Sequence, residues 1–284
     1  MPEQLDFIKT ISLDGKIMDR VRSRIIFAYS HLLGSLSDTY GGAGLPGALA
    51  SYTVSMASSE KHTMDEIERI VHLALVEEGA FKNFDEKMDV RALMWYQKIA
   101  PYIVGRKFLD LGGGDGRTAK RVQDEQKIKG QDIEVHVADV LDYPDRVRGL
   151  PYTRMGRRRT PFADREFDTV FLGTVFHHVG SELDDHLELM DESIRVARRR
   201  VIVIESIYQT PEEKLYTMWI DWWYNRILHF DEDPVKKVNV PFNFREPEDW
   251  KARLEERGLK VSDYDLGTFQ ILNPEHHWLF VVEK

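Results

Sequence analysis

The chain has 284 residues and carries 39 Lys and Arg against 48 Asp and Glu, a formal net charge of −9 that disfavours a broad electrostatic footprint on nucleic acid. Hydrophobic residues make up 42% and aromatic residues 11%, enough to bury a sizeable core, which excludes a disordered chain. No cysteine is present, so disulfides, thiolate metal sites and a cysteine nucleophile are excluded as well.

Residues 1–104 read as a helical cap, because apolar positions recur there at helical spacing. Ile67, Ile70, Val71, Ala74 and Leu75 form one stripe behind the capping box Thr63-Met64-Asp65-Glu66, and that helix ends near Gly79. A second helix spans Asp89 to Tyr102 and carries Leu93, Met94 and Ile99. Between Ser37 and Gly47, the glycines at 41, 42, 44 and 47 mark a loop. Over residues 105–284 short apolar runs alternate with helical stretches, the pattern of βαβ units and a mainly parallel sheet. Strands are expected at Lys107–Leu111, Ile133–Ala138, Phe167–Leu172 and Arg200–Glu205, with a further short one at Tyr152–Met155. Helices begin near Arg117 and Ser181. A helical insertion over about 208–241 contains Glu212–His229, where Tyr216, Trp219, Ile220, Trp223 and Ile227 share a stripe and Trp222 lies off it. Such a stripe is either core or an aromatic wall for substrate. The chain closes with a helix at Glu248–Arg257 and strands at Leu259–Leu266 and Trp278–Val282, a hairpin that would end the sheet antiparallel.

The sharpest motif is Phe108-Leu109-Asp110-Leu111-Gly112-Gly113-Gly114-Asp115-Gly116-Arg117, an apolar strand that runs through a glycine turn into a helix. Glycines let the backbone turn tightly and let a ligand approach, and the helix that follows offers its N-terminal dipole. A dinucleotide fingerprint fits only with Ala119 as its third small residue, since starting at Gly112 puts Arg117 there. A P-loop is excluded, because no Gly-Lys-Ser or Gly-Lys-Thr occurs. The pattern met in full is Asp-x-Gly-x-Gly-x-Gly, on Asp110, Gly112, Gly114 and Gly116.

This motif resembles the first motif of the class I S-adenosylmethionine-dependent methyltransferases, and the resemblance extends over roughly residues 88–284. It implies an α/β fold, a Rossmann-like doubly wound sheet, mainly parallel with an antiparallel C-terminal strand, here with an N-terminal helical cap. It implies S-adenosylmethionine as cofactor, with Gly112, Gly114 and Gly116 around the methionine part and Asp110 toward its amino group. The acid at the end of the next strand, which accepts both ribose hydroxyls in that family, falls on Asp139, with Asp142 its nearest competitor. The family's acid ahead of a Pro-Phe pair is missing before Pro161-Phe162, so adenine would be held by backbone groups, by Thr160 or Asp164, or by stacking on Phe162. Related enzymes use an N-terminal basic group on the cofactor carboxylate, a role that Arg91 could take.

In an open α/β sheet the residues after a central strand face the ligand. Here they are Gly173, placed at the cofactor, then Thr174, Val175, Phe176, His177 and His178. The segment lacks the Pro-Pro-Tyr signature of many nucleic-acid and protein methyltransferases and resembles that of small-molecule enzymes. His177 or His178 is the expected base for a nucleophile that arrives protonated, and Glu205 a second candidate for base or substrate-amine partner. No metal is expected, since adjacent histidines on an extended chain point oppositely. Arg146, Arg148, Arg154, Arg157, Arg158 and Arg159 fall in a stretch without acids, either a solvated edge or an anion site. The expectation is therefore methyl transfer to oxygen, nitrogen or carbon of a small molecule, aromatic or anionic, away from nucleic acid and membranes. The alternatives are aminocarboxypropyl transfer or cyclisation with the same cofactor, or a binding subunit without catalysis. The N-terminus lacks a secretory signal, so the expected setting is cytoplasmic, and a homodimer is compatible with the sequence.

Overall fold

Strands buried on both faces read as nearly continuous apolar runs, and four such runs build the centre of the sheet. The structure, a computed structural model, describes residues 64–77, 84–143, 146–180, 183–228, 238, 240–269 and 273–284. The glycine-rich stretch at 37–47, the cap residue Thr63 and the helix end at Gly79 lie outside these residues. In chain order the elements are α1 (Met64–Glu77), α2 (Phe84–Ile99), β1 (Lys107–Leu111), α3 (Arg117–Ile128), β2 (Glu134–Asp139), β3 (Tyr152–Arg154), β4 (Phe167–Gly173), α4 (Leu183–Val196), β5 (Ala197–Ile207), α5 (Pro211–Trp222), α6 (Pro247–Glu255), β6 (Lys260–Phe269) and β7 (Asn273–Glu283). The sheet order is β3-β2-β1-β4-β5-β7-β6. Pairs from β3 to β5 are parallel, and β7 runs antiparallel to β5, with Glu205 opposite Trp278. The order reverses between β1 and β4, so their carboxyl ends flank the switch point where such sheets bind ligands.

Alternation along the strands assigns the two faces. Leu109, Leu111, Val170, Leu172, Val201 and Val203 pack with Leu189 and Met190 of α4 and with Trp250 and Leu254 of α6. On the other face Phe108 stacks on Phe171, and Trp95 of α2 meets Phe171 edge-on. The buried stripe of α2 is Met88, Ala92, Trp95, Tyr96 and Ile99, while the expected Leu93 and Met94 are only half-buried. No described helix is long and apolar enough to cross a membrane.

The chain divides into two units, one holding Met88–Tyr208, Asn239–Gly267 and His276–Lys284, the other including α1 and Gln209–Val238. From Met88 the chain thus groups with the sheet, ahead of the expected boundary at 104. In the second unit α1 buries Val71 and Leu75 of the expected stripe, adds Glu68 and leaves Ile70 at 36% exposure. The reason is polar: Glu68 accepts the Trp222 indole N–H at 3.1 Å and pairs with Arg226 at 3.0 Å. Trp222 is therefore buried along with Tyr216, Trp219 and Trp223, and the aromatic stripe is core. After Trp222 the helix widens into a π-turn over Trp223–Leu228, whose Ile227 carbonyl bonds the His72 ring at 2.8 Å.

Candidate active site

The glycine loop leaves β1 at Leu111 and is pinned to the end of β2, where the amides of Gly112 and Gly113 both donate to the Ala138 carbonyl, at 2.7 and 3.3 Å. Gly112 has φ 75°, and a Cβ there would lie 2.7 Å from the Val175 side chain, so this glycine serves close packing against the turn after β4. Gly114, at φ 55°, faces nothing nearer than Tyr143 at 3.9 Å, which leaves the loop an open cradle. Gly116 holds a left-handed backbone at the start of α3.

Asp139 ends β2 and braces this loop: one carboxylate oxygen accepts the Gly114 amide and the other the Leu141 amide, both at 2.9 Å. Burial pushes its carboxyl up, and the amides of Leu141, Gly114 and Val140 pull it back. Asp110 is 2% exposed, and burial, followed by the charges of Asp139 and Asp115, pushes its carboxyl up to about 8. Its Oδ2 has no hydrogen-bond partner. A buried carboxylate oxygen without a donor is what a bound cation would satisfy. Asp110, Asp139 and the cradle at Gly114 therefore fit a ligand that brings an ammonium group and vicinal hydroxyls.

Beyond β4 the backbone is strained, with Thr174 at φ 56° and its amide bonded to the Ile204 carbonyl at 2.6 Å. Glu205 lies buried on β5 directly beside this turn. Its Oε1 accepts the amides of Val175 and Phe176 at 2.9 and 2.7 Å, and its Oε2 lies 2.6 Å from Nδ1 of the buried His177. A carboxylate at this place can accept a proton carried on His177 Nδ1. His178 is half-buried, its ring 4.1 Å from that of His177.

Other expected residues land elsewhere. At Gly173 a Cβ would lie 2.1 Å from the Trp95 ring, so packing against α2 accounts for that glycine. Arg91, one turn before Trp95, holds its guanidinium 4.5 Å over the same ring. Phe162 packs edge-on against His136 and Phe167. Thr160 is engaged by Glu192, and Asp164 by Arg195, which also bonds Glu192 and the Phe162 carbonyl. These residues brace the loop before β4. Two features escaped the sequence reading. Val140, directly after Asp139, is an apolar side chain 38% exposed, and its signal was its position after a strand-end acid. Phe244 stacks on His177 at 4.6 Å and 25°, a contact across more than sixty residues that no local signal announces.

Residues 109–204 match the family model described as a methyltransferase domain. No curated protein matches the chain. Among solved structures the chain is similar to a S-adenosylmethionine-dependent methyltransferase from Aquifex aeolicus, at 16% identity and TM-score 0.43, covering 66% of this chain and 87% of that one. It is also similar to the 1,6-didemethyltoxoflavin-N1-methyltransferase of Burkholderia thailandensis, at 12% identity and TM-score 0.48, with 80% and 92% covered. A third similar structure is the magnesium protoporphyrin IX methyltransferase of Synechocystis, at 11% identity and TM-score 0.45, with 70% and 83% covered. Residues 109–204 thus form a methyltransferase domain, on a sheet of order β3-β2-β1-β4-β5-β7-β6 with the glycine loop and its two acids at the carboxyl ends of β1 and β2.

Proposed function

We propose that the protein methylates a small molecule whose nucleophile arrives protonated, with His177 as the base that receives the proton. The observation that carries this reading is the buried pair of His177 and Glu205 in the turn that follows β4. When bound, S-adenosylmethionine supplies an electrophilic methyl group on a sulfonium centre. Asp139 would accept the ribose hydroxyls while holding Gly114, and Asp110 would meet the ammonium group. Val140 would offer an apolar face to the adenine, with no side-chain acid needed. Such a transfer asks the protein mainly to align the nucleophile and exclude water, and a base adds rate only where a proton must leave. Glu205 would fix the imidazole tautomer and stabilise the imidazolium formed, the part a carboxylate plays beside a catalytic histidine. The net charge of −9 supports a small substrate over a polyanion. Of the six clustered arginines, Arg146 pairs with Asp142 and Arg158 with Glu188, in keeping with a solvated edge.

A substrate screen with product identification tests this reading. It predicts S-adenosylhomocysteine and a methylated small molecule, with turnover lost in His177→Gln; methylthioadenosine as product would contradict it.

A further inference from the structure

Three glycines of the loop have their open side taken up by packing, and a fourth does not. A Cβ would meet Val175 at Gly112 and Asp110 at Gly113, at 2.7 and 2.6 Å, and Val137 and Leu150 at Gly116, at 3.4 and 3.6 Å. At Gly114 the nearest atoms are the Cζ and hydroxyl of Tyr143, at 3.9 and 4.0 Å, so the phenol turns its tip toward the cradle. The chain between β2 and β3 that carries Tyr143 is tied down on both sides of it. Before it, the Leu141 amide donates to Asp139 and the Leu141 carbonyl accepts the Tyr152 hydroxyl, at 2.9 and 2.5 Å. After it, the Val147 amide donates to the Asp115 carbonyl at 2.8 Å, and Leu150 lies against Gly116. Tyr143 is thus presented to the loop on an anchored backbone, which lowers the ordering cost of a contact made there.

We infer that the Tyr143 hydroxyl binds the ribose of the cofactor, as a second sugar contact beside Asp139. This inference rests on the methyltransferase reading above and names a further residue of the same site. Its place follows from the Gly114 amide, which is held by the carboxylate that would take the ribose hydroxyls. The space beside Asp139 is therefore bounded by Gly114 on one side and by the phenol tip on the other. The chemistry is complementary as well. A sugar hydroxyl that donates to Asp139 keeps two acceptor sites, and an ionised carboxylate has no proton to give them. A phenol hydroxyl donates once and accepts twice, so Tyr143 brings that proton and can serve the sugar alongside any other bond it makes. Its ring also narrows the mouth to water, and in a drier site the bonds to Asp139 are stronger.

Calorimetric titration of the full chain tests this, with S-adenosylhomocysteine and with methylthioadenosine, which has the same ribose and adenine and no amino acid arm. Tyr143→Phe keeps the ring and removes only the hydroxyl, and it is expected to weaken both ligands by the same factor, about fivefold, the worth of one neutral hydrogen bond. Tyr143→Ala, which also opens the mouth, should weaken both further. Thermal unfolding without ligand establishes that the variants fold. A folded Tyr143→Phe that binds both ligands as tightly as wild type would overturn the role. A loss confined to S-adenosylhomocysteine would overturn it too, because it would put the hydroxyl at the amino acid arm. A wild type that binds neither ligand would instead overturn the methyltransferase reading beneath it.

Discussion

Asp110, opposite Val137 near the end of β1, and Asp139, which ends β2, are both buried, yet the structure treats them differently. Asp139 is satisfied by amides, whereas Asp110 has an oxygen without a partner and a carboxyl pushed up to about 8. Because that value lies above the ordinary 3.8, the folded protein holds a proton that the unfolded chain releases. The contribution of Asp110 is therefore best at low pH and worsens as pH rises from about 4 toward 8. An ammonium-bearing cofactor should reverse this by ionising the group, so binding at about pH 7 should release up to about one proton. Titration calorimetry in buffers of different ionisation enthalpy measures that release, and Asp110→Asn should abolish it while weakening the cofactor. Both acids were legible in the sequence, because motif spacing and strand ends fix their places. The surroundings of Phe162 were not legible: a Pro-Phe pair says nothing about which way the ring turns, and here His136 and Phe167 receive it.

At the scale of elements, α2 and β4 are keyed together by Trp95 in the notch over Gly173. Gly173→Ala would drive a methyl group into that ring and should cost about 1–3 kcal/mol of stability, the range for overpacked sites. Trp95→Leu on the same background should recover part of the loss, a non-additivity that thermal unfolding of the two single variants and the double variant would show. Independent, additive losses would contradict the packing account. The parallel strands were legible because burial on both faces makes them continuous apolar runs. The helices were less so. In α2, Leu93 and Met94 look like core, yet the face toward the sheet is set by Trp95 and Tyr96 one position on. Strand β5 starts at Ala197, three residues earlier than the expected Arg200, since Arg198 and Arg199 pair with Asp168 yet continue the ladder. Their charges hid the strand.

For the molecule as a whole, acid stability should depend on His186. Its ring is fully buried on α4 against Trp250, and neither ring nitrogen has a partner. Burial, then the charges of Arg245 and Arg253, push it down to about 4 against the opposing Asp249 and Glu205. A lowered histidine contributes stability above its ordinary 6.5 that is lost as pH falls from there toward 4. Between about pH 4 and 6.5 His186 thus works against the opposite trend of Asp110, and His186→Leu should remove its part, so that the variant keeps more of its stability on the acid side of a pH-dependent denaturation series than wild type does. An unchanged limb would remove His186 as its source.

A cofactor site built by the glycine loop and Asp139 is tested by calorimetric titration of wild type and Asp139→Ala with S-adenosylmethionine and S-adenosylhomocysteine. Losing charge-assisted hydrogen bonds of about 1.5–3 kcal/mol each, together with the brace on Gly114, should weaken both ligands by at least about 100-fold. Wild-type binding should collapse in a folded variant; binding that survives the substitution, or wild type that binds neither ligand, would mean that the glycine loop and Asp139 do not form this site.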